Sequence, residues 1–226
     1  EASRFDLSAW RVAGVGAEMI QAPTLARFAE ALEPGGFDKK AFVACYGMAE
    51  CSLAVSFAPL SQGLEVDCVD GNHLAEYHEA VPAGTVPGKT AGRANNLVKC
   101  GQPLPGYEVE VRDSEGRVLP ERQGGTLFIR GPSVMSGYWG DAEATAGVLS
   151  SDGWLNTGDL GYRVEDSIVI TGREKDHMII NGRNIWTENV RTNFDLKTLP
   201  DWFTADPAVN QQQDVHIANF SFDGTI

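Results

Sequence analysis

What the chain lacks narrows its class before any motif is read. It has no apolar run near the roughly 20 residues that a membrane-spanning helix needs, so no transmembrane segment is expected. The opening residues, EASRFDLSAW, lack the basic-then-apolar layout of a secretion signal. Basic residues are scarce: 18 Lys and Arg stand against 31 Asp and Glu, a net charge of −13. Such a balance repels nucleic acid and anionic membrane surfaces, so neither is expected as a partner, though one basic pocket for a phosphate stays compatible with it. The four cysteines, Cys45, Cys51, Cys68 and Cys100, lack the close paired spacing of zinc or dithiol motifs. Reduced thiols in a cytoplasmic protein are the simpler reading. No internal repeat is present.

What is there is a globular composition, 42% hydrophobic and 9% aromatic, on 226 residues. That length suffices for one large domain or a domain and a half. Trp10 to Val15 reads as a short buried strand that runs into the small-residue turn Gly16-Ala17-Glu18. Pro23 to Leu32 carries Leu25, Phe28, Ala29 and Leu32 at helical spacing, with proline at the first turn and Gly35-Gly36 past the end. Ala41 to Cys45 is a second apolar strand. Strand, helix and strand at this spacing predict a piece of parallel α/β sheet over 1–56, one whose earlier strands are not in the sequence. The stretch 57–99 is rich in Gly, Pro and polar residues and reads as an extended insertion with little regular structure. From 100 to 172 the pattern is all-β, with Tyr107, Val109 and Val111 alternating with charged residues and turns at short intervals. It predicts a small, mostly antiparallel β-barrel. Residues 173–186 read as a connector with a strand over His177 to Ile180, and 187–226 as a divergent tail with no clear period.

Three places carry residues with chemical use. Tyr46-Gly47-Met48-Ala49-Glu50 follows the second strand, and open parallel sheets bind ligands beyond their carboxyl ends. There Tyr46 offers a flat face for a planar base, Gly47 allows close approach, and Glu50 offers a hard oxygen for magnesium. The same residues equally suit a plain turn with a surface glutamate. Thr157-Gly158-Asp159 reads as a turn whose carboxylate has acceptors for both hydroxyls of a ribose, or as an ordinary aspartate turn. Arg173 and Lys175, in the turn Gly172 to Asp176, place positive charge in an acidic chain, for a phosphate or for solvent.

The order of these pieces resembles the adenylate-forming superfamily of acyl-activating enzymes. The matching stretches are YGMAE (Tyr46–Glu50), GYW (Gly137–Trp139), GWLNTGDLG (Gly153–Gly161) and ITGREKD (Ile170–Asp176). Within the superfamily the chain is most similar to fatty acyl-AMP ligases. Ala49 stands where most acyl-CoA synthetases have Thr or Ser, and Cys45 precedes the tyrosine. A long segment separates Glu50 from Cys100-Gly101-Gln102-Pro103, and Gly182 to Trp186 is similar to the start of these ligases' C-terminal lobe.

The resemblance implies the large-domain fold of those enzymes, an end of a parallel α/β sheet followed by a β-barrel. It implies ATP-dependent conversion of a fatty acid to acyl-adenylate and pyrophosphate, then transfer to the phosphopantetheine arm of an acyl carrier protein. By motif, Gly16, Ala17 and Glu18 would line the adenine and acyl pocket. Tyr46 would stack on adenine, with Gly47 and Met48 beside it. Glu50 would hold Mg2+, Asp159 would bind the ribose, Arg173 would reach ribose and phosphate, and Lys175 would be the hinge. Glu50 and Arg173 are thus the expected catalytic residues. The superfamily's Ser/Thr/Gly-rich phosphate loop and its C-terminal lysine have no match in these residues, so the chain by itself is expected to adenylate little or not at all. A long-chain acyl-CoA synthetase piece and a non-catalytic nucleotide- or partner-binding remnant are the alternative readings.

Overall fold

The computed structural model describes residues 4–85, 94–174, 177–180 and 183–186, the last two spans as backbone only. The chain divides into two compact units, Glu1–Lys175 and Asp176–Ile226.

The first unit opens with a β–α–β turn. Strand β1 (Ala13–Val15) leads to helix α1 (Ala22–Leu32) and then to β2 (Phe42–Gly47), which pairs with β1 in parallel, Val15 opposite Ala44. Proline lies in the first turn of α1, where its missing N–H would find no helical partner in any case. The helix seats Ala29 against Phe37, Ala41 and Phe42. Phe28, Phe37, Phe42 and Trp10 pack ring to ring at centroid distances of 5.2–6.0 Å, mostly edge to face. The sheet continues antiparallel through β3 (Ala54–Phe57) and β6 (Gln102–Pro103), in the order β1-β2-β3-β6. The expected α/β element is present, with β1 three residues shorter at its start than the apolar run and β2 two residues longer at its end.

The insertion departs from expectation. Strands β4 (Val66–Asp70) and β5 (Ala94–Val98) form an antiparallel hairpin, and helix α2 (Gly71–Tyr77) follows β4. The reason for the difference is chemical. In β4 it is Asp67, Val69 and Asp70 that are buried, while Val66 and Cys68 are exposed. A buried acid inverts the apolar alternation on which strand recognition rests. Asp67 tolerates burial because Tyr162 and Arg122 both bond its carboxylate, and Asp70 because it caps α2 through the backbone N–H groups of Asn72 and His73.

The all-β stretch folds as a four-stranded antiparallel sheet in the order β10-β9-β8-β7, from β7 (Glu108–Arg112), β8 (Gly125–Arg130), β9 (Leu155–Val164) and β10 (Ser167–Arg173). Helix α3 (Ala142–Val148) lies between β8 and β9 in sequence. Among the described residues the strand pairings run as an open series, and the expected barrel is represented by this sheet. The β9–β10 hairpin turns on Glu165 and Asp166, both at positive φ, the conformation that matches strand twist in a two-residue turn. Lys99 reaches that turn, pairing Glu165 and Glu65 at 2.6 Å each. The main core lies between the two sheets: Tyr46, Cys51 and Val55 pack with Val109, Leu127, Ile129, Leu155 and Ile168. It is this packing that brings β2 against β9.

In the second unit, β11 (His177–Ile180) pairs antiparallel with β12 (Arg183–Trp186), His177 opposite Trp186. The second strand was not anticipated. The tail over 187–226 lies outside the described residues. Among the described residues no helix is long and apolar enough to cross a membrane.

Candidate functional site

Parallel pairing of β1 and β2 sets their carboxyl ends side by side. Gly16 lies next to Cys45, whose thiol donates to the Val15 carbonyl at 3.3 Å. A Cβ on Gly16 would stand 2.7 Å from the Cys45 carbonyl and sulfur, so only glycine permits this approach. Ala17 takes a positive φ of 69°, and with Glu18 it is exposed. Gly47 is held more tightly still: a Cβ there would lie 1.7 Å from the Leu53 carbonyl oxygen. Glycine at this position is therefore required by the chain's own return into β3, before any ligand is considered.

Tyr46 is part of β2 rather than beyond it. The residue is 8% exposed and packs in the main core, so the structure leaves little of its ring free. Its hydroxyl donates to Asp159 Oδ2 at 2.7 Å, across 113 residues of sequence. Burial, and next the Asp159 carboxylate beside it, push the Tyr46 hydroxyl well above the usual tyrosine range, so it stays protonated and a donor.

Asp159 is not on a turn. Thr157-Gly158-Asp159 forms a bulge inside the ten-residue strand β9. Across it Phe128 faces Asn156 while Thr126, two residues earlier, faces Leu160 four residues later. Side chains replace the missing ladder bonds. The Thr157 hydroxyl donates to the Leu127 carbonyl and accepts from the Asp159 N–H, and Asn156 Oδ1 accepts from the Gly158 N–H. Gly158 takes φ 67° to make the bend. The bulge delivers a carboxylate that is 3% exposed, with Oδ2 on Tyr46 and Oδ1 on Arg173 Nε at 2.8 Å. Arg173 is the register partner of Asp159 on β10 and is an exposed side chain. Gly172 and Arg173 thus belong to a strand; Lys175 lies outside the described residues.

Glu50 sits in a single 3-10 turn, Ala49–Cys51, and is half-buried. Its Oε1 accepts from the Tyr138 hydroxyl at 2.9 Å, and its carbonyl from the Met135 N–H. That bond to Glu50 raises the Tyr138 hydroxyl above its ordinary range. Met48 packs against the main core from the side. Among the described residues no group of three His, Cys, Asp or Glu side chains could enclose a metal. A lone accessible carboxylate still suits magnesium, which keeps most of its waters and leans on phosphate oxygens. The donor chemistry of Glu50 fits that ion.

The structure therefore joins Tyr46, Asp159 and Arg173 directly and sets Gly16, Gly47 and Met48 near Tyr46 in the fold. It shows no contact between Glu50 and that trio. Sequence reasoning missed Asn156 and Thr157 as bulge builders and Tyr138 as the partner of Glu50. A Thr or Asn beside Gly-Asp in a strand is a readable signal of side-chain-to-backbone bonding. The Tyr138–Glu50 pair has no local signal. A cleft of about 160 Å3, lined by Gln62, Glu65, Lys99 and Ser167 among others, contains none of the predicted residues.

Comparison with known proteins agrees with this arrangement. The family model described as AMP-binding enzyme matches residues 1–139. A Caulobacter vibrioides protein named "Putative acyl-CoA synthetase" is 50% identical over 186 residues, 82% of this chain and 32% of that protein. The medium-chain-fatty-acid–[acyl-carrier-protein] ligase JamA of Moorena producens is 32% identical over 83% of this chain and 33% of its own length. A solved structure from work on fatty acyl-adenylate ligases of E. coli and L. pneumophila superposes with TM-score 0.78 at 42% identity, covering 84% of this chain and 34% of that one. The chain spans about a third of the length of the curated relatives it matches. With its sheets and motifs in the arrangement of those enzymes, this chain belongs to the AMP-binding enzyme family of adenylate-forming ligases.

Proposed function

We propose that this chain carries the nucleoside-recognition part of an ATP-dependent fatty acyl-AMP ligase, which forms acyl-adenylate and pyrophosphate and passes the acyl group to an acyl carrier protein. The observation that carries the reading is the buried Tyr46–Asp159 pair with the exposed Arg173 bonded to it, assembled from two sheets at the carboxyl end of β2. Tyr46 flanks the adenine, with Gly16, Ala17, Glu18, Gly47 and Met48 along the pocket wall. Asp159 takes the ribose, and the exposed guanidinium of Arg173 lies on the phosphate side. Attack of a carboxylate on the α-phosphate asks for alignment and charge neutralisation rather than for an acid or base. Glu50 would hold magnesium, which supplies neutralisation of phosphate charge when bound. Lys175 acts as the hinge into the lobe that begins with β11 and β12, and the division of the chain between Lys175 and Asp176 is in keeping with that role. The reading further takes the protein as cytoplasmic.

The relative named as an acyl-CoA synthetase, at 50% identity, favours a second reading in which coenzyme A is the acceptor. Supplying the complete gene product with ATP, magnesium and a long-chain fatty acid, then with either coenzyme A or phosphopantetheinylated carrier protein, separates the two. Acyl transfer to the carrier protein is expected; rapid acyl-CoA formation would give the second reading preference. The 226-residue chain alone is expected to bind AMP while releasing little pyrophosphate.

A further inference from the structure

The turn that carries Glu50 is held from a distant part of the chain. The segment between β8 and α3 lies against it and bonds it through backbone and side chain alike. The Ser133 hydroxyl donates to the Cys51 carbonyl at 2.7 Å, and the Ser52 hydroxyl to the Ser133 carbonyl at 3.5 Å. The Met135 N–H donates to the Glu50 carbonyl at 2.7 Å. The Tyr138 hydroxyl completes the set, donating to Glu50 Oε1 at 2.9 Å across 88 residues of sequence. Tyr138 is itself fixed. Its N–H donates to the Thr145 hydroxyl at 2.9 Å, which in turn donates to the Asp141 carbonyl at the start of α3. Gly137 makes that approach with φ 143°, and a Cβ there would stand 2.8 Å from the Thr145 methyl. The backbone bonds place the main chain of Glu50; the Tyr138 hydroxyl is what places its carboxylate. Tyr138 is 39% exposed, so water can hydrate that hydroxyl, and the fold does not need this bond to satisfy a buried group.

We propose that Tyr138 is a positioning residue for the magnesium ligand: its hydroxyl holds one oxygen of Glu50, so that the carboxylate is oriented before the ion and its phosphate arrive. This rests on the reading above in which Glu50 holds magnesium. An unrestrained glutamate loses rotamer freedom when it binds a metal, and a hydroxyl that fixes it beforehand lessens that loss. A group that orients a metal's carboxylate ligand therefore contributes to affinity without touching the ion. The tyrosine of the Gly137–Trp139 stretch thereby has a task that its motif does not declare.

The test is Tyr138→Phe in the complete gene product, which keeps the ring and deletes the hydroxyl. ATP binding is measured calorimetrically with no fatty acid present, once with magnesium and once with EDTA. The wild type is expected to bind ATP more tightly with magnesium. The variant should bind ATP roughly fivefold more weakly with magnesium and within about twofold of wild type in EDTA, because the hydroxyl acts only through Glu50. Unchanged affinity with magnesium would overturn the proposal, and so would equal weakening in both conditions, the mark of a merely structural role. A wild type indifferent to magnesium would remove the metal role of Glu50 and the proposal with it. Should the wild type bind no ATP in either condition, the functional reading itself falls. The hold of Tyr138 on Glu50 is then judged on its own by a double-mutant cycle of Tyr138→Phe with Glu50→Ala in urea unfolding of the 226-residue chain. Coupling of about threefold in the unfolding equilibrium upholds it, and additivity defeats it.

Discussion

Asp67 and Asp159 are buried in the same unit, each against a tyrosine hydroxyl 2.7 Å away and an arginine. They differ in how completely they are closed. Asp67 takes three donors, and its arginine, Arg122, also donates to the Ala80 carbonyl, which ties the β4–β5 hairpin region to the segment before β8. Tyr162 at that site is fully buried. Among the described residues Asp159 takes two donors, and the side chain of its arginine is 60% exposed. One cluster is satisfied within the protein and cements the fold. The other, among the described residues, takes one donor on each oxygen and lies where the sheet ends meet. Burial of an acid says little by itself about function; the exposure of the arginine beside it, 32% for Arg122 and 60% for Arg173, distinguishes the two.

The largest effect is expected at the closed cluster. Asp67→Ala leaves the fully buried Tyr162 hydroxyl without its acceptor and takes two bonds from the partly exposed Arg122, at a cost of about 2–3 kcal/mol. Urea unfolding measures it. A loss below about 1 kcal/mol would mean that Asp67 is no more structural than Asp159. Asp159→Ala should cost less, about 1–2 kcal/mol, since the Arg173 side chain is already exposed and the buried donor that loses its acceptor is the Tyr46 hydroxyl. Next comes pH. Both hydroxyls, Tyr46 and Tyr162, are pushed above the ordinary tyrosine range by burial first and then by their aspartates. Their contribution to stability is full below the unfolded tyrosine value of about 10 and is lost as pH rises through the folded values. Thermal midpoints should therefore drop above pH 10, and Tyr162→Phe should flatten that drop. A midpoint indifferent to pH between 9 and 11 (on the order of two units about the reference value) would contradict the assignment. The smallest effect is expected for Thr157→Val, about 1 kcal/mol, through loss of the two bonds that hold the bulge. AMP affinity should fall with it, because the bulge aims Asp159. Lost stability with unchanged affinity would show that the bulge does not matter to the site.

The same contrast explains what was legible in the sequence. The helical spacing of Leu25, Phe28, Ala29 and Leu32 and the alternation of Val109 and Val111 announce α1 and β7, because burial there obeys the period of the backbone. Strand β4 stayed hidden because Asp67 occupies an inward place that apolar residues normally mark. Strand β12 was passed over although Asn181-Gly182, a common hairpin dipeptide, separates it from β11 in sequence. Thr157-Gly158-Asp159 has turn composition, yet the chain uses it as a bulge within β9; composition reports the backbone bend and not whether the strand resumes after it. Tyr46, Asp159 and Arg173 each stand in a stretch that the sequence marks out. Their assembly is not marked, since the Tyr46–Asp159 bond spans 113 residues and depends on two sheets closing over one core.

On the proposed function the cluster around Asp159 recognises a nucleoside while the one around Asp67 does not. Calorimetric titration of AMP into the wild-type chain, Asp159→Ala and Asp67→Asn tests it most directly. The prediction is measurable AMP binding by the wild type, a loss of more than about tenfold in Asp159→Ala, and affinity within about twofold of wild type for the folded fraction of Asp67→Asn. Equal affinity of the wild type and Asp159→Ala for AMP would contradict it.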